Sequence, residues 1–181
     1  VTTQSLPDNT ARKNEGFGIY FSDGAEGVAE GNTAEGNRSI GIVVGGEGTT
    51  ATLRDNTARN NEKYGINFFD GAEGVAEGNS AEGNKGSGIG VSDEGTAPTL
   101  RDNTARKNEG FGIIFGDGAE GVAEGNTAEG NKKNGIKVVD EGTAPTLRDN
   151  TARKNEWDGI VFRDGAEGVA EGNTAEGNKG G

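Results

Sequence analysis

Along the chain the pair Gly-Ile recurs at Gly18-Ile19, Gly41-Ile42, Gly65-Ile66, Gly88-Ile89, Gly112-Ile113, Gly135-Ile136 and Gly159-Ile160. Two residues after each Ile stands Phe or Val: Phe21, Val44, Phe68, Val91, Phe115, Val138 and Phe162. Apolar residues two apart share one face of a strand, because alternate strand side chains point to opposite sides. The pattern therefore predicts a short strand with both residues inside. A second apolar set brackets a recurring Asn. Three residues before it Leu and Ala alternate, from Leu6 and Ala29 to Leu147 and Ala170. Two residues after it comes Ala every time, from Ala11 to Ala175. No stretch longer than about ten residues follows a helical period, and the density of Gly opposes helices.

The Asn itself sets the ruler. Asn9, Asn32, Asn56, Asn79, Asn103, Asn126, Asn150 and Asn173 lie alternately 23 and 24 residues apart, and a second Asn follows each by five, from Asn14 and Asn37 to Asn178. Two blocks alternate on this grid. DGAEGVAEGNTAEGN, at Asp23–Asn37, recurs every 47 residues (with Ser80 for one Thr), and TLRDNTARKNE lies between, clearest at Thr99–Glu109 and Thr146–Glu156. Self-similarity at a fixed period marks a repeat array. Short strands, turn residues and this period predict an all-β chain wound as a parallel β-helix of about 7.5 coils, stacked about 4.8 Å apart in a rod roughly 37 Å long. Residues 1–181 form one repeat domain on this reading. Neither end carries an obvious cap, which fits either a slice of a longer solenoid or a rod capable of end-to-end self-association.

The succession N-x4-N, then G-I-x-[FV], then a turn of Asp and Gly, resembles the right-handed parallel β-helix repeat family. That family groups with the pectate-lyase-like superfold and with carbohydrate-binding and sugar-hydrolase repeats. The resemblance implies a right-handed solenoid over essentially the whole chain. Enzymes of the superfamily use acidic clusters with Arg, Lys or Ca²⁺ in a groove along the coils. This sequence holds no irregular cluster of that kind, so no catalytic residue is carried over.

Composition adjusts this picture. Gly makes up 35 of 181 residues and hydrophobic residues only 29%, a mixture that without periodicity would read as disordered. The apolar grid overrides that. The net charge of −12 disfavours nucleic acid and anionic membrane, which bind basic surfaces. No apolar run approaches the ~18 residues of a membrane span. The absence of His and Cys removes the commonest general base and all thiolate chemistry. There is no Ser-His-Asp set and no phosphate loop, and the carboxylates form regular rows rather than one isolated pair. No cofactor is expected. The chain begins at Val1 without a signal peptide, as a processed product or fragment would. The near-identity of its copies suits recent duplication and equally a consensus design. A natural member is expected outside the cell or on its surface.

The polar rows have their own logic. Stacked Asn can form ladders, each amide donating to one coil and accepting from the other, and replacing Asn103 or Asn108 should be costly. Asn also tolerates left-handed turns. Three charged rows alternate in sign from coil to coil. One runs Arg12, Glu35, Arg59, Glu82, Arg106, Glu129, Arg153, Glu176; another Glu30, Arg54, Glu77, Arg101, Glu124, Arg148, Glu171; the third Glu15, Arg38, Glu62, Lys85, Glu109, Lys132, Glu156, Lys179. Opposite charges side by side are favourable, so the rows predict continuous ion networks that forbid a slip by one coil. Asp23, Asp70, Asp93, Asp117, Asp140 and Asp164 form a row that does not alternate, interrupted at Gly46. Turn closure is its leading role. Asp70, Asp93, Asp117 and Asp140 are candidate Ca²⁺ ligands. A Thr row raises ice binding, although its neighbours are charged. The sequon at Asn37 falls on an inner ladder position and is not expected to carry glycan. The residues around Gly-Ile vary, and Phe17, Tyr20, Tyr64, Phe111 and Trp157 are candidates for stacking on a sugar. The expected function is a non-enzymatic structural or interaction solenoid acting as rod, spacer or scaffold. The alternative is a carbohydrate-binding or carbohydrate-active surface protein with a polysaccharide partner.

Overall fold

The computed structural model describes residues 4–180. All 23 regular elements are strands, and among the described residues there is no helix. The first coil contains β1 (Gln4–Pro7), β2 (Thr10–Arg12) and β3 (Ile19–Phe21). Later coils repeat the triplet. Equivalent strands pair in parallel, giving a first sheet of eight strands, a second of eight and a third of seven. The chain is thus a three-sided solenoid of nearly eight coils.

The register is the one the Asn spacing demands. Leu6 lies beside Ala29 and Ala29 beside Leu53 in the first sheet. Arg12 faces Glu35 and Glu35 faces Arg59 in the second. Ile19 meets Ile42, and Phe21 meets Val44, in the third. These inward residues fill the interior, where Leu53, Ile66, Phe68, Ile89, Leu100, Ile113 and Phe115 are fully buried. A buried side chain of this size contributes ~1.5–3 kcal/mol. Coils carrying Leu and Phe alternate with coils carrying Ala and Val, so large residues sit against small ones. Gly27 continues the theme, since a Cβ there would enter the ring of Phe21.

Two Asn ladders run through the corners. The Asn56 amide nitrogen donates to Asn79 Oδ1 at 2.9 Å and to the Ala29 carbonyl of the preceding coil at 2.9 Å. Its Oδ1 accepts from both the main-chain and side-chain nitrogens of Asn32. The second ladder repeats this at Asn61, with Asn84 Oδ1 at 3.0 Å and the Ala34 carbonyl at 3.1 Å. Asn32 to Asn155 are at most 1% exposed along both ladders, and among the described residues no fully buried side-chain polar atom lacks a partner. The left-handed corner residue is not the Asn but the one before it. Asp8, Asp55, Asp102 and Asp149 have φ of 50–52°, alternating with Gly31, Gly78, Gly125 and Gly172. The reversal one step earlier leaves the Asn to turn its amide inward.

The charged rows pair differently from a continuous network. In the second sheet Arg59, Arg106 and Arg153 each reach the preceding coil, to Glu35 at 3.1 Å, Glu82 at 2.8 Å and Glu129 at 2.9 Å. In the first sheet Arg54 and Arg101 reach forward, to Glu77 at 3.7 Å and Glu124 at 3.6 Å. In the third row Arg38 pairs back to Glu15, Lys85 to Glu62 at 2.6 Å and Lys132 to Glu109 at 3.4 Å. A single head group leans toward one neighbour, so each row breaks into separate pairs. The rows are out of phase, however, and from the first coil to the last every junction is bridged in at least one of them.

Candidate binding face

Two sheets are near copies from coil to coil, so any individuality lies on the outside of the third. Its strands are held close by the Gly of each Gly-Ile. A Cβ on Gly112 would stand 2.5 Å from the Gly135 carbonyl oxygen, 2.7 Å from Ala128 Cβ and 2.8 Å from Asn131 Nδ2. Glycine is therefore needed for the strand to sit against the ladder of the next coil. Outward from this strand the central row reads Tyr20, Val43, Asn67, Gly90, Ile114, Lys137 and Val161. The flanking row reads Phe17, Ile40, Tyr64, Ser87, Phe111, Asn134 and Asp158.

The five aromatic candidates divide into two pairs and a single residue. Phe17 and Tyr20 pack with tilted rings, centroids 5.2 Å apart, both substantially exposed. Phe111 and Trp157 meet edge to face at 6.4 Å. Lys133 lies 5.0 Å from the Phe111 centroid and 5.8 Å from that of Trp157, and Lys137 lies 5.2 Å from Phe111. Ammonium groups over ring faces are held by the ring quadrupole. An aromatic and basic patch thus stands on an acidic protein. Tyr64 is separate and half-buried. Burial, and then the charge of Asp117, push its phenol above the usual tyrosine range.

The edge where the third sheet turns into the first is acidic. A recess of about 670 Å³ is lined by Glu94, Asp117, Glu120 and Glu141 with turn glycines, and a second of about 610 Å³ by Glu47, Asp70, Glu73 and Glu94. Shared Glu94 makes them continuous along the rod. Every Asp of the non-alternating row has positive φ, from 54° at Asp117 to 75° at Asp93 and Asp140. Asp93 Oδ2 accepts from the Asp70 main-chain N–H at 3.2 Å, and Asp140 Oδ2 from that of Asp117 at 3.3 Å. Among the described residues no three carboxylates converge as a metal-holding group. The turns have a further anchor that the row pattern did not single out. Thr49, Thr96 and Thr143 are buried, and their hydroxyls accept from the main-chain N–H of Gly24, Gly71 and Gly118 at 2.9–3.1 Å. A Thr recurring every 47 residues directly after Glu-Gly was the available signal.

Elsewhere the perturbed carboxyls belong to ion pairs. Glu82 and Glu129 are held below the ordinary Glu range, first by hydrogen bonds from Arg106 and Arg153 and also by the flanking Lys107 and Lys154. They lie on the second sheet, on a different side of the rod from the aromatic patch. Among the described residues no helix is long and apolar enough to cross a membrane.

The family model for the right handed beta helix region matches residues 4–105 and 50–181. No curated protein sequence matches. Among solved structures, the periplasmic alginate epimerase AlgG superposes with a TM-score of 0.71 at 14% identity, over 95% of this chain and 50% of that one. The A-module of the Azotobacter vinelandii mannuronan C-5 epimerase AlgE4 superposes with a TM-score of 0.67 at 18% identity, over 98% of this chain and 57% of the module. The chain spans about half the length of these structures, and at such identities the likeness is one of fold.

Proposed function

Starting from the fact that the chain belongs to the right-handed β-helix family, we propose that it is a non-enzymatic interaction solenoid, a stiff rod that presents the outer face of its third sheet. One observation carries this reading. The ladders and paired charges that stack the coils recur with little change, whereas the side chains around each Gly-Ile differ from coil to coil. Stacking needs sameness, and recognition of a particular partner needs difference. The decisive experiment incubates the protein with polymannuronate, alginate and polygalacturonate and follows the polymers by proton NMR. Unchanged polymer is the expected result. Epimerisation or cleavage that follows the protein through purification would overturn the non-enzymatic reading.

A second reading, binding of a polysaccharide, is favoured by the Phe111–Trp157 pair with Lys133 and Lys137 over the rings. Ring faces suit the apolar side of a sugar, and two ammonium groups suit its carboxylates. Retardation in affinity gels containing alginate, but not in gels containing neutral glucan, is expected, with Phe111→Ala and Trp157→Ala restoring free migration. Equal mobility in all gels would dispose of this reading.

A further inference from the structure

In the middle of the variable face the side chains shrink. The fourth coil carries Ser87, Gly90 and Ser92, between Tyr64 and Asn67 of the coil before and Phe111 and Ile114 of the coil after. The result is a notch of about 100 Å³ whose lining includes Tyr64, Asn67, Gly90, Ile114, Asp117 and Asp140. An apolar cavity of about 150 Å³ takes a benzene ring, so a notch of this size suits a small, slender group.

Its chemistry is one-sided. Asn67 is only 7% exposed, yet its carboxamide, unlike the ladder amides, stays open to solvent rather than bonded to another coil within the described residues. Its Oδ1 covers Gly90, in the space a Cβ would fill, and so lies at the floor of the notch. Tyr64 forms a wall, with Cδ1 3.4 Å from that same Cβ position. Asp117 and Asp140 supply carboxylates at the rim, and neither Lys nor Arg lines the notch or the recess next to it. An amide oxygen open to solvent, two carboxylates, a phenol ring and the apolar Ile114 together complement a donor-rich cation on a slender apolar stem.

We propose that this notch receives the ammonium end of a lysine side chain presented by a basic partner protein. The methylenes lie along Tyr64 and Ile114, and the ammonium donates to Asn67 Oδ1 and Asp117. Asp117 also borders the recess with Glu94, Glu120 and Glu141, which meets neighbouring positive charges of the same segment. The net charge of −12 favours rapid encounter with such a partner. The proposal rests on the third sheet's outer face being the presenting surface. Failure of the notch alone would leave the rod and its other patches standing.

The test titrates the protein with an acetylated, amidated lysine hexapeptide, following main-chain amide shifts by NMR at moderate salt. Saturable binding is expected, with the largest shifts at residues 64, 67, 90 and 117, and with no binding once the lysines are acetylated. Gly90→Ala fills the notch and should weaken binding at least fivefold. Asn67→Ala, an outward position, should do the same and serves if Gly90→Ala unfolds. Paired Glu47→Gln and Glu73→Gln, on the acidic edge away from the notch, should change affinity less than twofold. Shifts spread evenly along that edge, or full affinity in Asn67→Ala, would reduce the effect to diffuse charge attraction and overturn the proposal. Displacement of the peptide by a tighter-binding glucosamine oligomer would equally overturn the assignment to lysine.

Discussion

Consider Asn108→Ala, in the middle of the second Asn ladder. The wild-type amide makes four hydrogen bonds there. Its Oδ1 accepts from the main-chain and side-chain nitrogens of Asn84, both at 3.0 Å. Its nitrogen donates to the Ala81 carbonyl at 3.1 Å and to Asn131 Oδ1 at 3.0 Å. Alanine removes all four. Asn131 Oδ1 keeps the bond from the main-chain nitrogen of residue 108 at 3.0 Å. Asn84 fares worse, because its main-chain N–H and one amide hydrogen both lose their acceptor, and Asn84 is fully buried. Each stranded buried donor costs about 1–3 kcal/mol, so the two together cost roughly 2–6 kcal/mol. That is a large fraction of the ~5–15 kcal/mol that holds a domain folded. Asn14→Ala is the internal control. Its exposed side chain donates one bond to Asn37 Oδ1 at 2.8 Å, and the Asn14 main-chain N–H still reaches the same oxygen at 3.1 Å. Its loss should cost about 0.5–1 kcal/mol. Urea unfolding followed by circular dichroism measures the overall effect, and hydrogen exchange at the Asn84 N–H reports the junction itself. If Asn108→Ala stays within about 1 kcal/mol of wild type, or matches Asn14→Ala, the satisfied ladder is not what stabilises the stack.

The same geometry makes other demands. Arg106→Glu loses the 2.8 Å pair with Glu82 and puts Glu between Glu82 and Glu129 in register. It should destabilise by roughly 1–2 kcal/mol at low salt and less at high salt, and a salt-independent melting temperature would refute the charge register. Glu82 and Glu129 have pKa values below the ordinary 4.5, so their stabilisation is complete above that value and disappears as pH falls through the folded-state values. Melting temperature should therefore drop on acidification below pH 4.5, less steeply in a Glu82→Gln, Glu129→Gln double variant; parallel curves would contradict this. Tyr64 works in the other direction, its contribution intact below 10.0 and lost as pH rises beyond, and Tyr64→Phe should flatten the alkaline limb of the same melting curve. Gly112→Ala should cost about 2–3 kcal/mol or more through overpacking, whereas Gly16→Ala, with nothing within 4 Å of the added carbon, should be near neutral.

Much of the fold can be read from the sequence because stacking is a one-dimensional problem. Ile-x-Phe must be a strand with both residues inside, and Asn at equal spacing must meet Asn, since an amide is complementary to itself. Alternating charge rows likewise declare which coil lies beside which. What could not be read depends on choices within a row. Arg54 and Arg59 each have a Glu on both sides in register, and only side-chain geometry decides that one reaches forward and the other back. The left-handed corner falls on Asp55 or Gly78 rather than on the Asn, because the amide is needed inside. On the candidate face, the exposed aromatics were visible as residue types. Their grouping into Phe17–Tyr20 and Phe111–Trp157 depends on ring orientation. The notch was harder, being a deficit of side-chain volume at Ser87, Gly90 and Ser92 that emerges only when successive coils are laid side by side.

The Asn ladders also give the rod a direction. In both of them one amide hydrogen points to the Asn of the following coil and the oxygen to the Asn of the preceding one, without reversal from Asn32 to Asn155. The side-chain dipoles therefore add along the axis, as an electret does, with partial negative charge gathered toward the first coil and partial positive charge toward the last. Two segments of this architecture can continue one another only tail to head. Turned to face the opposite way, they would set oxygen against oxygen at one join and hydrogen against hydrogen at the other. The vectorial order of any longer array is thus written into its side chains as well as its backbone.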